Sequence, residues 1–301
     1  MSNQRPARPV AGILWMLVTG LCFVAVTAFV KYLGPRIPPP EQAFLRYLLG
    51  LVFLLPMLRP LFSARLDRRM WALFTARGVL HALAVMMWFF AMTRIPLSEV
   101  TAINYLSPVY VTLGAALFLG ERLAARRLVA VVAALIGALI ILRPGYREIQ
   151  PGHLAMLLAA IAFGGSYLLA KVATGRADAA TVVGMLSIWV TLCLAPFAYA
   201  VWVTPTLTEL LILFGVASFA TAGHFAMTLA FAAAPVAVTQ PVTFLQLVWA
   251  TALGALVFSE PVDGWVILGG GLILGAVTFI TWRETVLKRR QITPPVPATK
   301  V

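Results

Sequence analysis

Charge is scarce in this chain. Of its 301 residues 11% are charged, and acidic side chains are rarer still, with 10 Asp and Glu against 23 Lys and Arg. A soluble domain carries roughly 25% charged residues, so an ordinary water-facing globular surface is excluded. Cysteine is almost missing as well: the 2 residues, Cys22 and Cys193, both fall inside apolar stretches. They read as small packing residues, which excludes a disulfide framework or a thiolate metal centre. The patterns HExxH, GxGD and GxSxG do not occur, and Ser166 with a distant histidine makes no triad. An intramembrane enzyme therefore has little chemistry to rest on, and neither cofactor nor metal is expected.

What the chain has instead is apolar length, 61% hydrophobic residues and a mean hydropathy of +0.95. A helix needs ~20 apolar residues to span a bilayer. Runs of that size predict ten spans near 11–33, 41–61, 71–93, 97–119, 124–143, 152–172, 180–202, 207–231, 236–258 and 264–282. All are expected to be helices, because barrel strands would show ~10-residue alternating segments that are missing here. Turn signals such as Gly34-Pro35, Pro38-Pro39-Pro40, Pro144-Gly145 and Asp263-Gly264 separate them. The first run, preceded by Arg5 and Arg8, is expected to be a retained span rather than a cleaved signal.

A net charge of +13 first suggests nucleic acid, but its distribution points to a membrane. With a cytoplasmic N-terminus, that side of the membrane receives sixteen Lys and Arg and the other side five, while Arg46 and Arg77 lie within spans. This is the positive-inside bias, and it puts both termini in the cytoplasm. No nucleic-acid partner is expected. Membrane lipid is, above all for the basic, proline-containing tail at 285–301.

The chain also repeats itself. Phe23 to Lys31 reads FVAVTAFVK, and Phe163 to Lys171, 140 residues on, reads FGGSYLLAK. The same offset carries Pro56 to Pro196, and an offset of 139 carries Ile95-Pro96 to Ala234-Pro235 and Gly120-Glu121 to Ser259-Glu260. Residues 1–147 and 148–284 thus form two repeats of five spans each. An odd number of spans makes the second enter the membrane from the opposite side. The expected architecture is an all-α membrane protein, two inverted five-helix repeats around a central cavity, as in many secondary transporters.

Three segments resemble the EamA-type permeases of the drug/metabolite transporter superfamily: Leu21–Arg46; SEVTAINYLSPVYVTLGAALFLGERL from Ser98 to Leu123; and VTQPVTFLQLVWATALGALVFSE from Val238 to Glu260. Within that family the chain looks most like the bacterial exporters of aromatic and other amino acids. The resemblance implies a cavity built from spans 1, 3, 4, 6, 8 and 9 with spans 5 and 10 peripheral, and a place in the bacterial inner membrane.

Polar groups inside a membrane usually face the protein interior or a wet cavity. In span 4, Thr101, Asn104, Tyr105, Pro108 and Thr112 share one helical face. Their repeat partners are Gln240, Thr243, Phe244, Leu247 and Thr251. Span 3 offers His81 and Trp88, span 6 Phe163 and Tyr167, and span 8 His224. The expected substrate-binding set is His81, Trp88, Thr101, Asn104, Tyr105, Phe163, Tyr167, His224, Gln240 and Thr243. For the threonines and amides, hydrogen bonding between helices is the competing reading. Arg46 and Arg77 read either as snorkelling or paired side chains or as binders of a substrate carboxylate. Glu99 is expected to be offset by Arg94, and Glu121 and Glu260 to favour the N-termini of helices 5 and 10. Tyr110 and Trp249 are assigned to packing or lipid. Gly271 and Gly275 form a GxxxG that lets helices approach, within the chain or, as a weak homodimer, in a second copy. No acidic residue falls near a midplane, which favours facilitated efflux over proton coupling. The expected function is alternating-access export of amino acids, aromatic ones included, with another metabolite, vitamin or cationic drug as the alternative cargo.

Overall fold

The computed structural model describes residues 9–57, 66–119, 125–173, 176–234 and 239–292. Its helices are α1 (Pro9–Leu33), α2 (Pro39–Gly50), α3 (Arg68–Met92), α4 (Leu97–Asn104), α5 (Ser107–Leu119), α6 (Ala125–Leu142), α7 (Pro151–Ala173), α8 (Ala179–Ala200), α9 (Leu207–Ala233), α10 (Phe244–Phe258) and α11 (Gly264–Ile292). Among the described residues there is no strand, only an isolated bridge between Pro144 and Arg147. Eight helical segments are long and apolar enough to cross a membrane, with α4 and α5 counted as one, and α10 is a shorter apolar helix. The remaining pass is α2, prolonged by a 3-10 stretch over Leu51–Met57.

Local chemistry sets the helix ends. The Asp67 carboxylate accepts from the Met70 amide, and Thr206 and Glu209 close a reciprocal capping box at the start of α9. Asp178 accepts from the Thr181 amide, which holds its carboxyl below the usual carboxylate range. Each cap supplies an acceptor to peptide donors that the helix leaves unpaired. Two passes are broken in mid-course. Pro108 follows the junction of α4 and α5, and Pro241 lies in the 3-10 turn Gln240–Thr243 before α10. Proline lacks the donor that an uninterrupted helix requires.

Helices pair mainly across the two halves of the chain: α1 with α9, α3 with α7, α2 with both α8 and α9, α3 with α8, and α4 with α10. Exchanging the halves turns the first pairing into the second. The largest core cluster runs through α3, α4, α6, α7 and α11, with Phe89, Met92, Ile103, Ile141 and Met156 fully buried. The outer pair α6 and α11 packs together, and Leu128, Val129, Val132, Ile136 and Leu139 of α6 stay exposed as an apolar face.

That outer pair corrects one expectation. The close crossing uses Gly137 and Gly269: a Cβ on Gly137 would lie 2.6 Å from the Gly269 carbonyl oxygen, and one on Gly269 2.5 Å from that of Gly137. Gly271 would meet only Phe244, at 3.6 Å, and nothing lies within 4 Å of Gly275. Within the chain, period alone found the helix that approaches closely and misplaced the contact by about half a turn. Gly269→Leu is therefore expected to destabilise the bundle by about 1–3 kcal/mol through overpacking, while Gly275→Ala leaves it unchanged. Thermal unfolding of the two variants in detergent checks this, and equal melting temperatures would refute the assigned crossing.

Candidate functional site

An aromatic and cationic cluster occupies the middle of the bundle, where α2, α3, α7 and α9 meet. His81 of α3 is buried, and its Nδ1 lies 3.1 Å from the Ser166 hydroxyl of α7. Phe163 meets the imidazole edge-on at 5.1 Å and stacks on Tyr167 at 5.9 Å with an interplanar angle of 11°. Trp88 stands edge-on to Phe163 at 6.0 Å, and Tyr47 of α2 faces His81 at 6.3 Å. His224 of α9 meets Phe23 of α1 edge-on at 5.1 Å. The Arg46 guanidinium rests on the Tyr47 ring at 4.2 Å, and Arg77 precedes His81 by about one turn of α3. The structure thus brings His81, Trp88, Phe163, Tyr167 and His224 into one neighbourhood. It adds Phe23, Tyr47 and Ser166, which carried no periodic signal of their own.

The polar stripe of the fourth pass behaves differently. Thr101 is buried and donates back to the Leu97 carbonyl at 2.8 Å, and Thr112 does the same to Pro108 at 3.0 Å. Asn104 Oδ1 accepts from Ser107 at 3.4 Å, next to the helix break. The Tyr105 hydroxyl donates to the backbone carbonyl of Thr243 at 2.7 Å, tying the two broken passes together. These contacts satisfy the helices themselves, which is the competing reading for the stripe, although Thr112 with the same bond also borders a cavity. The Gln240 side chain lies outside the described part of the chain. Tyr110 packs against α7, where a Cβ on Gly164 would come 2.7 Å from its own, and Trp249 packs on Gly20.

Next to the cluster is a cavity of about 340 Å³, lined by Pro108 and Thr112 of α5, Tyr167 and Lys171 of α7, and Val277 and Thr281 of α11. Small-molecule sites run from ~300 to 1,000 Å³. Tyr167 belongs to both cluster and cavity, and is 40% exposed although its stacking partner Phe163 is buried. The cavity lies toward the Lys171 end of α7.

The opposite end of the bundle is tied across the two halves by charge. Lys31 pairs with Glu260 and also donates to the Ile95 carbonyl at 3.0 Å. The second Glu260 oxygen accepts from the Leu97 amide at 2.9 Å. Glu260 thus serves the N-terminus of α4 rather than that of α11, as sequence order suggested. Glu99 accepts from Arg147 at 2.9 and 2.8 Å and lies 2.5 Å from His153. Arg94, its expected partner, instead stacks on Phe90 at 3.6 Å. Arg143 pairs with Asp263, Arg36 with Glu209, and Glu41 accepts from the Val203 amide at 2.8 Å. Glu121 lies outside the described residues.

The sequence profile of the EamA-like transporter family matches residues 10–143 and again residues 150–282. The chain belongs to that family. It is accordingly a small-molecule transporter and no enzyme, a multi-pass protein of the bacterial inner membrane. It is 33% identical to a riboflavin transporter of Rhizobium johnstonii over 95% of either chain. It is 27% identical to an S-adenosylmethionine uptake transporter of Rickettsia bellii, over 91% of this chain and 94% of that one. A crystal structure with 17% identity superposes with a TM-score of 0.58 over 92% of this EamA chain and 99% of its own, so the two share a fold. The narrower likeness to amino acid exporters has no counterpart among these relatives.

The Lys31–Glu260 pair gives a test of the tied end. Glu260→Gln leaves Lys31 without its carboxylate and is expected to cost about 2 kcal/mol, the scale of an orphaned buried polar group. Adding Lys31→Met should recover part of that loss, because it removes the stranded charge. Unfolding temperatures of the single and double variants decide it, and strictly additive losses would mean the pair is not coupled.

Proposed function

We propose that this EamA transporter moves a flat heteroaromatic metabolite, with riboflavin as the first candidate, by alternating access between two inverted halves whose termini lie in the cytoplasm. The observation that carries the reading is Tyr167, stacked on the buried Phe163 and open to the cavity. Aromatic side chains hold planar rings face to face, a contact worth ~1–3 kcal/mol per nucleic-acid base. A ring system of isoalloxazine type offers the same kind of π-face. The riboflavin transporter from Rhizobium johnstonii, similar over nearly its whole length, supports the same choice.

The alternatives fit less well. S-adenosylmethionine carries a sulfonium and an ammonium against a single carboxylate, and its net positive charge is repelled by Arg46 and Arg77. Amino acids, the expectation from sequence, would use the aromatic walls but have only the general likeness of the chain behind them. The excess of Lys and Arg on one side supports cytoplasmic termini. In that orientation the charged ties close the outer end and the cavity lies on the cytoplasmic side. No carboxylate borders the cluster among the described residues, so a gradient of the cargo itself drives transport.

Proteoliposomes loaded with riboflavin test the reading through its intrinsic fluorescence. Flux should exceed that of protein-free liposomes and that of labelled tryptophan or phenylalanine. Phe163→Ala and Tyr167→Ala should each lower it about tenfold, which corresponds to ~1.4 kcal/mol. Riboflavin flux at the protein-free level, with amino acid flux above it, would overturn the choice of cargo and restore the amino acid reading.

A further inference from the structure

Packing explains most of the core but not the two guanidinium groups in its middle. At 1.5 Å per residue, Arg46 lies about 10 Å along α2 and Arg77 about 14 Å along α3, well inside a hydrocarbon layer ~30 Å thick. Neither snorkels: they are 7% and 6% exposed. Nor is either paired with an acid among the described residues. Arg77 donates one bond from Nη1 to the Val182 carbonyl at 2.8 Å, and the Arg46 guanidinium rests on the Tyr47 ring at 4.2 Å. Nε and Nη1 of Arg46 and Nε of Arg77 are buried without a hydrogen-bond partner. The carboxylates of the neighbouring passes are engaged at the tied end, Glu41 with Val203, Glu99 with Arg147 and Glu209 with Arg36.

A guanidinium has five donors in a rigid fork and cannot shed its charge, so it must be met by an acceptor. Leaving two such groups unneutralised inside a membrane is costly, and intramembrane charges ordinarily find a partner. Here the described residues supply one carbonyl and no carboxylate. Arg77 precedes His81 by about one turn of α3, and Arg46 rests on Tyr47, whose ring stands 6.3 Å from that of His81, so both guanidinium groups lie beside the aromatic stack. Oxyanions are what such forks bind best.

Building on the proposed heteroaromatic cargo, we infer that Arg46 and Arg77 form an anion site that receives a phosphate or carboxylate carried by that cargo. The carrier accordingly prefers an anionic ring compound, such as a flavin phosphate monoester, to its neutral counterpart. The ring occupies the Phe163–Tyr167 side and the oxyanion takes the orphaned donors. A free inorganic anion offers the same chemistry, so the test must separate the two.

Full-length protein in nanodiscs is titrated with riboflavin and with flavin mononucleotide, read by flavin fluorescence quenching, with and without sodium phosphate or sodium chloride. Flavin mononucleotide should bind at least tenfold more tightly than riboflavin. Arg46→Gln and Arg77→Gln should each narrow that ratio to about twofold, while Arg46→Lys retains more of it. Inorganic phosphate should compete with the phosphorylated flavin more strongly than with riboflavin. Should the glutamine variants fail to fold, the ratio and the phosphate competition in the unmodified protein still decide the matter. Riboflavin binding with no preference for the phosphate ester overturns the anion site and leaves the proposed function standing. Binding of inorganic phosphate with neither flavin bound overturns both.

Discussion

A charge or an unpaired peptide group inside a bilayer has no water to turn to, and the rest of this structure is arranged around that constraint. Peptide groups are satisfied by helices, because a helix closes its hydrogen bonds within one segment. Charges are handled by position. Most acidic side chains gather at one end of the bundle, where Glu99, Glu260 and Asp263 each meet a Lys or Arg. Lys31–Glu260 and Arg143–Asp263 join one half to the other, so the neutralisation of charge also fixes which helices of one half face which helices of the other.

Close approach supplies what hydrophobicity cannot, since lipid tails are as apolar as leucine and do not drive helices together. At Gly137 and Gly269 two backbones touch where any side chain would keep them apart. Gly12 against Ala234 and Gly78 against Trp189 repeat the device, since a Cβ at either glycine would fall 2.4 Å from its neighbour. Small residues hold the frame, and the irregular backbone is left to the passes that border the interior. The break at Asn104–Ser107 and the 3-10 turn at Gln240–Thr243 are joined by the Tyr105 hydroxyl. Irregular backbone at membrane depth is tolerated where protein buries it, as it does at Ile103, Leu106 and Ser107.

Much of this was legible in the chain because membrane helices obey a coarse rule. The spans followed from apolar run length, and the grouping of His81, Trp88, Phe163, Tyr167 and His224 followed from helical periodicity. Partner choice was not legible. Glu99 and Arg94 are near neighbours in sequence, yet Arg147 wins because the α6–α7 connection brings it across the start of α4. Glu260 precedes α11 but caps α4, a relation set by how the two halves meet. Thr101 shares a face with Tyr105, and its hydroxyl nonetheless turns back to its own helix, a local bond always open to threonine. Arg46 and Arg77 looked like candidates for snorkelling, which fails because both helices bury them.

The ties at one end also bear on how an alternating carrier can move. Opening that end means separating Lys31 from Glu260 and Arg143 from Asp263, whose side chains are between 10% and 27% exposed. Groups this close to water rehydrate as they part, so the net worth of each pair is nearer the ~0–1 kcal/mol of surface pairs than the penalty for deleting one partner. Their sum then stays within a few kcal/mol. A ligand with ~10⁴-fold preference for one state shifts a two-state balance by about 5.5 kcal/mol, enough to offset such a set. Fully buried pairs of the same number would lock the end shut. Ties placed at the rim can hold one state and still release it, while among the described residues the two buried guanidinium groups of the interior meet no carboxylate.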